Sequence, residues 1–269
     1  MSLLAWFMLG TIVGSFLNVC IYRLPLEQSI VRPGSHCRAC KHPIAWYDNV
    51  PILSFLALGA KCRHCRAPIA LRYPLVEVLT GLATVAVVSR FGVQAPSLIY
   101  LAFVWALIAA SFIDLDYRII PDEISLGGLA IGLIISPLVP QLHGSASWLI
   151  ALKRSCIGAL VGGGLLYVTG VLGTLAFKKE AMGGGDVKLL AMAGSLLGWQ
   201  AVTLAFFLAP LLAIGPGLAV LLLRKSHEIP YGPFLAAALL VALFGGDAVL
   251  RLLGLDETIR ILLSPGGMG

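Results

Sequence analysis

Apolar residues in this chain come in long unbroken blocks, several of them close to the roughly 20 residues a helix needs to cross a bilayer. The first block covers residues 3–22, and a polar segment follows at 23–73. Further apolar blocks occupy 74–88, 96–113, 124–138, 155–177, 187–199, 201–223 and 231–249. The 187–199 block is short for a full crossing, and only the turn around Gly198 to Gln200 separates it from the next. The pattern therefore predicts an all-α protein: a polytopic membrane helical bundle of about eight transmembrane helices carrying one long polar loop. It divides the chain into a first transmembrane helix (1–22), the loop (23–73), a transmembrane core (74–250) and a C-terminal tail (251–269) with no readable feature.

Composition sharpens this picture. The chain is 59% hydrophobic and only 12% charged, against about 25% charged residues in a soluble domain. So few charges cannot cover a water-facing surface, so the outer surface faces lipid. The 30 glycines and 15 prolines suit membrane helices, where glycine permits close contact and neighbouring groups satisfy what proline frees. No basic stretch precedes Leu3 and no small-residue cleavage pattern follows Tyr22, so the first block is expected to be a retained span.

Charge gives orientation. With alternating spans, fourteen of the 19 Lys and Arg residues fall on one side, in loops 23–73, 114–123, 178–188 and 224–230. The remaining five are Arg90, Lys153, Arg154, Arg251 and Arg260. The basic side is expected to be cytoplasmic, and anionic lipid accounts for the +6 net charge. Nucleic-acid binding is not indicated, because no basic stretch alternates with stacking aromatics.

The polar loop holds Cys37-Arg-Ala-Cys40 and, after 21 intervening residues, Cys62-Arg-His-Cys65. Two such knuckles suit a tetrahedral zinc site of four thiolates. A loop of about 50 residues builds little core of its own, so a metal staple makes physical sense. Disulfides are disfavoured in the reducing cytoplasm. His36, His42 and His64 are competing ligands for a site that four cysteines already fill. Cys20 and Cys156 lie in apolar blocks and are expected to be buried packing residues.

Acids at the membrane boundary are functional candidates, because burying a carboxylate is costly. Asp114-Leu-Asp116 ends one block and precedes the helix break at Pro121; Gly183-Gly-Gly-Asp186 opens another block on the same side. Two carboxyls at one depth suit aspartyl hydrolysis, one acting as acid and the other as base. Helix capping is the structural alternative: Asp186 suits an N-cap and Asp122 lies near one. Asp114 and Asp116 are separated by roughly 200° around a helix, so one pocket would take only one of them. Glu77 either pairs with Arg72 or lines a pocket, and Asn18 and Arg23 either line the same pocket or bridge helices.

The Gly183-Gly184-Gly185-Asp186 stretch matches the G-x-G-D motif of intramembrane aspartyl proteases. Together with Gly14-Ser-Phe-Leu-Asn18-Val, Arg23-Leu-Pro25, the paired cysteine knuckles, Asp114-Leu-Asp116, Ile120-Pro-Asp122 and Ile229-Pro-Tyr231-Gly232-Pro-Phe-Leu-Ala236, the chain resembles the bacterial prepilin peptidases. That resemblance implies an enzyme of the bacterial inner membrane, with its active site at the cytoplasmic face. Its implied substrates are type IV prepilins and type II secretion pseudopilins, whose leaders it would cut. Asp114 and Asp186 are then the implied catalytic pair. Asp114 is preferred over Asp116 because the archaeal branch of the family carries Lys at the latter position. Members with the four-cysteine loop typically also methylate the new N-terminal amine with S-adenosylmethionine. This second activity rests on resemblance alone, since no Gly-rich fingerprint for that ligand is visible. The rival reading is a proton-coupled transporter with a regulatory zinc loop; the boundary position of the acids and the absence of repeated halves oppose it.

Overall fold

The structure is a computed structural model and describes residues 2–179, 182–224 and 230–252. Lys225, Ile229, Arg260 and the tail from 253 onward, which entered the sequence argument, lie outside the described residues. The elements are α1 (Leu3–Arg23), a five-residue α2 (Leu53–Ala57) in the polar loop, α3 (Arg72–Phe91), α4 (Ala95–Tyr117), α5 (Asp122–Leu138), α6 (Trp148–Phe177), α7 (Gly184–Leu197), α8 (Trp199–Arg224) and α9 (Gly232–Leu252). Among the described residues there is no β-strand, only two isolated β-bridges in the polar loop.

Each apolar block becomes a helix, as expected. Five helices are long and apolar enough to cross a membrane: α1, α3, α4, α6 and the 199–218 part of α8. At 17 and 14 residues, α5 and α7 fall short of a perpendicular crossing. Helix α6 begins at Trp148 rather than near Ser155, so Lys153 and Arg154 are helical rather than loop residues. Arg154 donates to the His143 carbonyl, a partner that lets a charged residue stay on an otherwise apolar helix.

The chain divides into two compact units, Met1–Ile124 and Ser125–Gly269. In the first, α1, α3 and α4 pack on one another around Leu17, Ile21, Val76, Ala109 and Ile113. Helices in lipid gain no hydrophobic drive from meeting, so close backbone approach has to supply the contact. At Gly14 a Cβ would come within 2.7 Å of the Glu77 Cα. Thr80 and Thr84 turn their hydroxyls back to carbonyls four residues earlier, and Thr84 accepts from the Trp105 indole at 3.0 Å.

In the second unit α7 lies along α6, and any Cβ at Gly158 would overlap the Gly194 carbonyl. Buried serines serve that junction. Ser136 and Ser155 both donate to the Ser195 carbonyl, at 3.0 and 2.7 Å, and His143 bonds Ser136 at 3.0 Å. Cys20 is buried as expected, but Cys156 on α6 is exposed: it lies on the helix surface and not in the packed interior. We expect Gly158→Ala to lower the thermal midpoint in detergent, by overpacking worth on the order of 1–3 kcal/mol. A Cβ at Gly164 meets nothing within 4 Å, so Gly164→Ala is the matched control. Equal midpoints for the two variants would show that the α6–α7 contact does not depend on the glycine.

Candidate metal centre, cavity and aspartates

The four cysteines converge. The Sγ atoms of Cys37, Cys40, Cys62 and Cys65 all lie within 4.8 Å of one another, and Cys37 and Cys65 are 3.8 Å apart. Tetrahedral zinc with thiolates at about 2.3 Å places the sulfurs about 3.8 Å apart, so the donor set fits such an ion. The two knuckles are built alike, with an offset of 25 residues (37 to 62). Cys37 N donates to His42 O and Cys62 N to Ala67 O, at 2.9 and 2.8 Å. Lys41 and Arg66, each just after its knuckle's second cysteine, take the left-handed conformation, at φ 60° and 59°. Each donates its amide to the knuckle's first cysteine. Isolated bridges close each turn, at His36–Pro43 and Lys61–Pro68.

The thiols influence one another. Backbone hydrogen bonding from Cys40 leads in holding Cys37 down to about 6. Cys62 is also lowered, mainly by the Cys65 and His64 amides. At Cys65 the Ala67 amide favours the thiolate, but burial and the neighbouring thiols outweigh it and push the group up to about 11. Among the described residues the convergent donor group contains the four cysteines and no histidine: His42 and His64 stack face to face at 4.4 Å, and His36 Nδ1 bonds the Gly34 carbonyl.

Beside the knuckles, a cavity of about 520 Å³ runs between the loop and the ends of α1 and α3. Tyr22, Tyr47 and Tyr73 lie on its walls, with Asn18 and Glu77 among the lining residues. Arg38 sits over the Tyr22 ring, 3.6 Å from its centroid. Arg63 clamps Asp48 through two hydrogen bonds of 2.6 and 2.7 Å, which hold the Asp48 carboxyl below its usual range. Asn18 both lines the cavity and bridges helices, donating to Tyr73 O at 3.1 Å. Arg23 is buried and donates to the Ser29 and Gly34 carbonyls, thereby organising the chain as it leaves α1.

Of the two roles open to Glu77, the pair with Arg72 does not form and the cavity-lining one does. Arg72 pairs with Asp116 instead, while Glu77 accepts from the Ile52 amide at 2.8 Å. Ile52 stands at φ 62°, an unfavourable conformation for a β-branched residue, and this bond helps to hold it there. No sequence spacing announces a backbone partner 25 positions away across a loop.

The two aspartate regions belong to different units. In the first, Asp114 is buried in the last turn of α4, whose end is fixed by Arg118 in the left-handed conformation with its amide on the Asp114 carbonyl. Asp116 is exposed and engaged by Arg72, so the two acids do point apart as the helix geometry requires. In the second, Asp186 is half-buried in the first turn of α7. The N-cap is Gly183, and Asp186 stands in the first helical turn beyond it. Tyr231, just before α9, is close enough to Asp186 to feel its charge; the sequence reading assigned it no role.

Residues 8–91 match the bacterial Peptidase A24 N-terminal domain, and residues 101–218 match the type IV leader peptidase family. The chain is 37% identical to the prepilin leader peptidase/N-methyltransferase of Aeromonas hydrophila over 91% of each chain. It is 36% identical to the protein of that name from Pseudomonas aeruginosa, over 91% of this chain and 90% of the relative. With the Myxococcus xanthus protein it shares 42% over 80% of this chain and 62% of the relative. No solved structure matches it.

Proposed function

This chain belongs to the type IV leader peptidase family, and from that premise we propose that it cuts the leader from type IV prepilins and type II secretion pseudopilins and then methylates the exposed N-terminal amine. The observation that carries the proposal is a pair of modules joined in one chain. The stretch matched over residues 8–91 holds the cysteine cluster with its cavity, and the stretch matched over 101–218 carries Asp114 at the end of one helix and Asp186 at the start of another. Family membership leaves the transporter reading without an observation in its favour.

Asp114 and Asp186 are the proposed catalytic pair. One carboxylate takes a proton from the attacking water while the other, kept neutral, donates to the carbonyl of the scissile bond. Asp114 is preferred to Asp116 because it is buried at a helix end, whereas Asp116 is exposed and held by Arg72. The ion at Cys37, Cys40, Cys62 and Cys65 is proposed to be zinc in a closed structural site with no position for substrate. For methyl transfer, the cavity lies in the size range of small-molecule sites. Its tyrosines offer surfaces against which a nucleobase would pack. S-adenosylmethionine, when bound, supplies an electrophilic methyl group.

The enzyme is proposed to sit in the bacterial inner membrane with the cysteine loop and both aspartates on the cytoplasmic side, as the bias of basic residues indicates. The test is incubation of the purified protein in detergent with a prepilin and S-adenosylmethionine, followed by mass spectrometry of the product. The expected product lacks its leader and carries one added methyl group at its N-terminus. An intact prepilin under conditions where the protein is folded would overturn the reading.

A further inference from the structure

Two acceptors at the membrane end of the cavity lack the partners that buried acceptors require. Asn18 is 4% exposed and directs its Nδ2 to the Gly14 and Tyr73 carbonyls. Its Oδ1 is buried with no hydrogen-bond partner. Glu77 is 7% exposed, and its carboxylate accepts from a neutral donor, the Ile52 amide. None of the described basic side chains pairs with it: Arg72 is held by Asp116 and Arg63 by Asp48. Asp48, the other acid of this cavity, is thus neutralised while Glu77 is not.

The packing of α1 on α3 sets Asn18 and Glu77 along one helix contact, a turn apart. Gly14 of α1 abuts the Glu77 backbone of α3, and one turn further along Asn18 bonds Tyr73, one turn before Glu77. Both side chains line the cavity. A carboxylate without a counter-ion and an amide oxygen without a donor are together complementary to a group that carries positive charge and several N–H bonds.

We propose that Asn18 Oδ1 and the Glu77 carboxylate form a subsite for an alkyl ammonium group. The inference rests on the methyl-transfer reading for the identity of its ligands, since two ammonium groups would meet in that reaction: the new N-terminus of the cleaved pilin and the amino-acid end of the methyl donor. An ammonium spans the two acceptors with separate N–H bonds, and its charge offsets that of the buried carboxylate.

The test measures binding rather than turnover, on the full-length protein in detergent. The first arm compares a peptide with the sequence of a processed pilin N-terminus, bearing a free α-amine, with its N-acetylated form. The second compares S-adenosylhomocysteine with an analogue lacking the α-amino group. The wild type is expected to prefer the amine by about tenfold in one arm, as a charge-assisted bond to a buried acceptor implies. Glu77→Gln should reduce that preference to within about twofold while the other arm stays unchanged. The arm that responds identifies the source of the ammonium. Where Glu77→Gln fails to fold, judged by metal content and gel filtration, Asn18→Ser removes the second acceptor and is read in the same way. No amine preference in either arm would overturn the subsite, as would a preference that survives in the folded variant. An amine preference in protein that transfers no methyl would leave the subsite standing and remove the methyltransferase reading instead.

Discussion

Asp186→Asn is expected to leave prepilin uncut, with a loss of at least about 10³-fold in cleavage rate. Asparagine keeps the size and most of the hydrogen bonding of aspartate but can neither accept nor release the proton that peptide hydrolysis moves. Asp114→Asn should fail to the same degree, and the double variant should be no worse than either single one, because residues that act as a unit lose their function together. Asp116→Asn should keep substantial activity, since this exposed side chain serves the Arg72 pair. The measurement is a gel shift of purified prepilin in detergent, with each variant's membrane insertion checked alongside. Near-normal cleavage by Asp186→Asn would remove the aspartyl mechanism altogether. Loss in Asp116→Asn with Asp114→Asn active would move the first catalytic aspartate by two residues.

The second large effect concerns the metal. Protein purified without chelators is expected to carry about one zinc per chain. Cys62→Ser should release it and leave the 24–71 segment open to limited proteolysis, because ligand binding and folding are one event in small metal sites. Methyl transfer should fall with the metal, since the cavity walls include Cys37 and Cys62 and the residues next to them. Leader cleavage should fall much less, because neither aspartate lies in this loop. Elemental analysis without zinc, or methyl transfer at full rate in Cys62→Ser, would sink this account.

How much of this was legible in the sequence depended on how local the determining contacts were. The cysteine centre was fully legible, since a C-x-x-C spacing encodes one turn and the pairing of two turns encodes the site. The opposed directions of Asp114 and Asp116 followed from helix periodicity alone. The start of α6 did not, because Lys153 and Arg154 read as loop until the His143 carbonyl is known to take the arginine. The Glu77 partner was hidden for the same reason: Ile52 offers a backbone amide, and no residue type marks that. Nor could Tyr231 be associated with Asp186, because helix packing and not sequence proximity brings them together.

The glycine contact of α1 with α3 has one more consequence. Segment 24–71 leaves one of these helices and enters the other, so its two ends are already fastened together by the bilayer-embedded pair. A free chain of that length would have to give up loop-closure entropy, growing as (3/2)RT ln n, before its ligands could meet. Here the membrane has paid that toll in advance, and the four sulfurs find one another within a tethered ring. The affinity of the proposed metal centre is therefore expected to depend partly on two helices that never touch the ion, and a substitution at Gly14 is expected to weaken its grip.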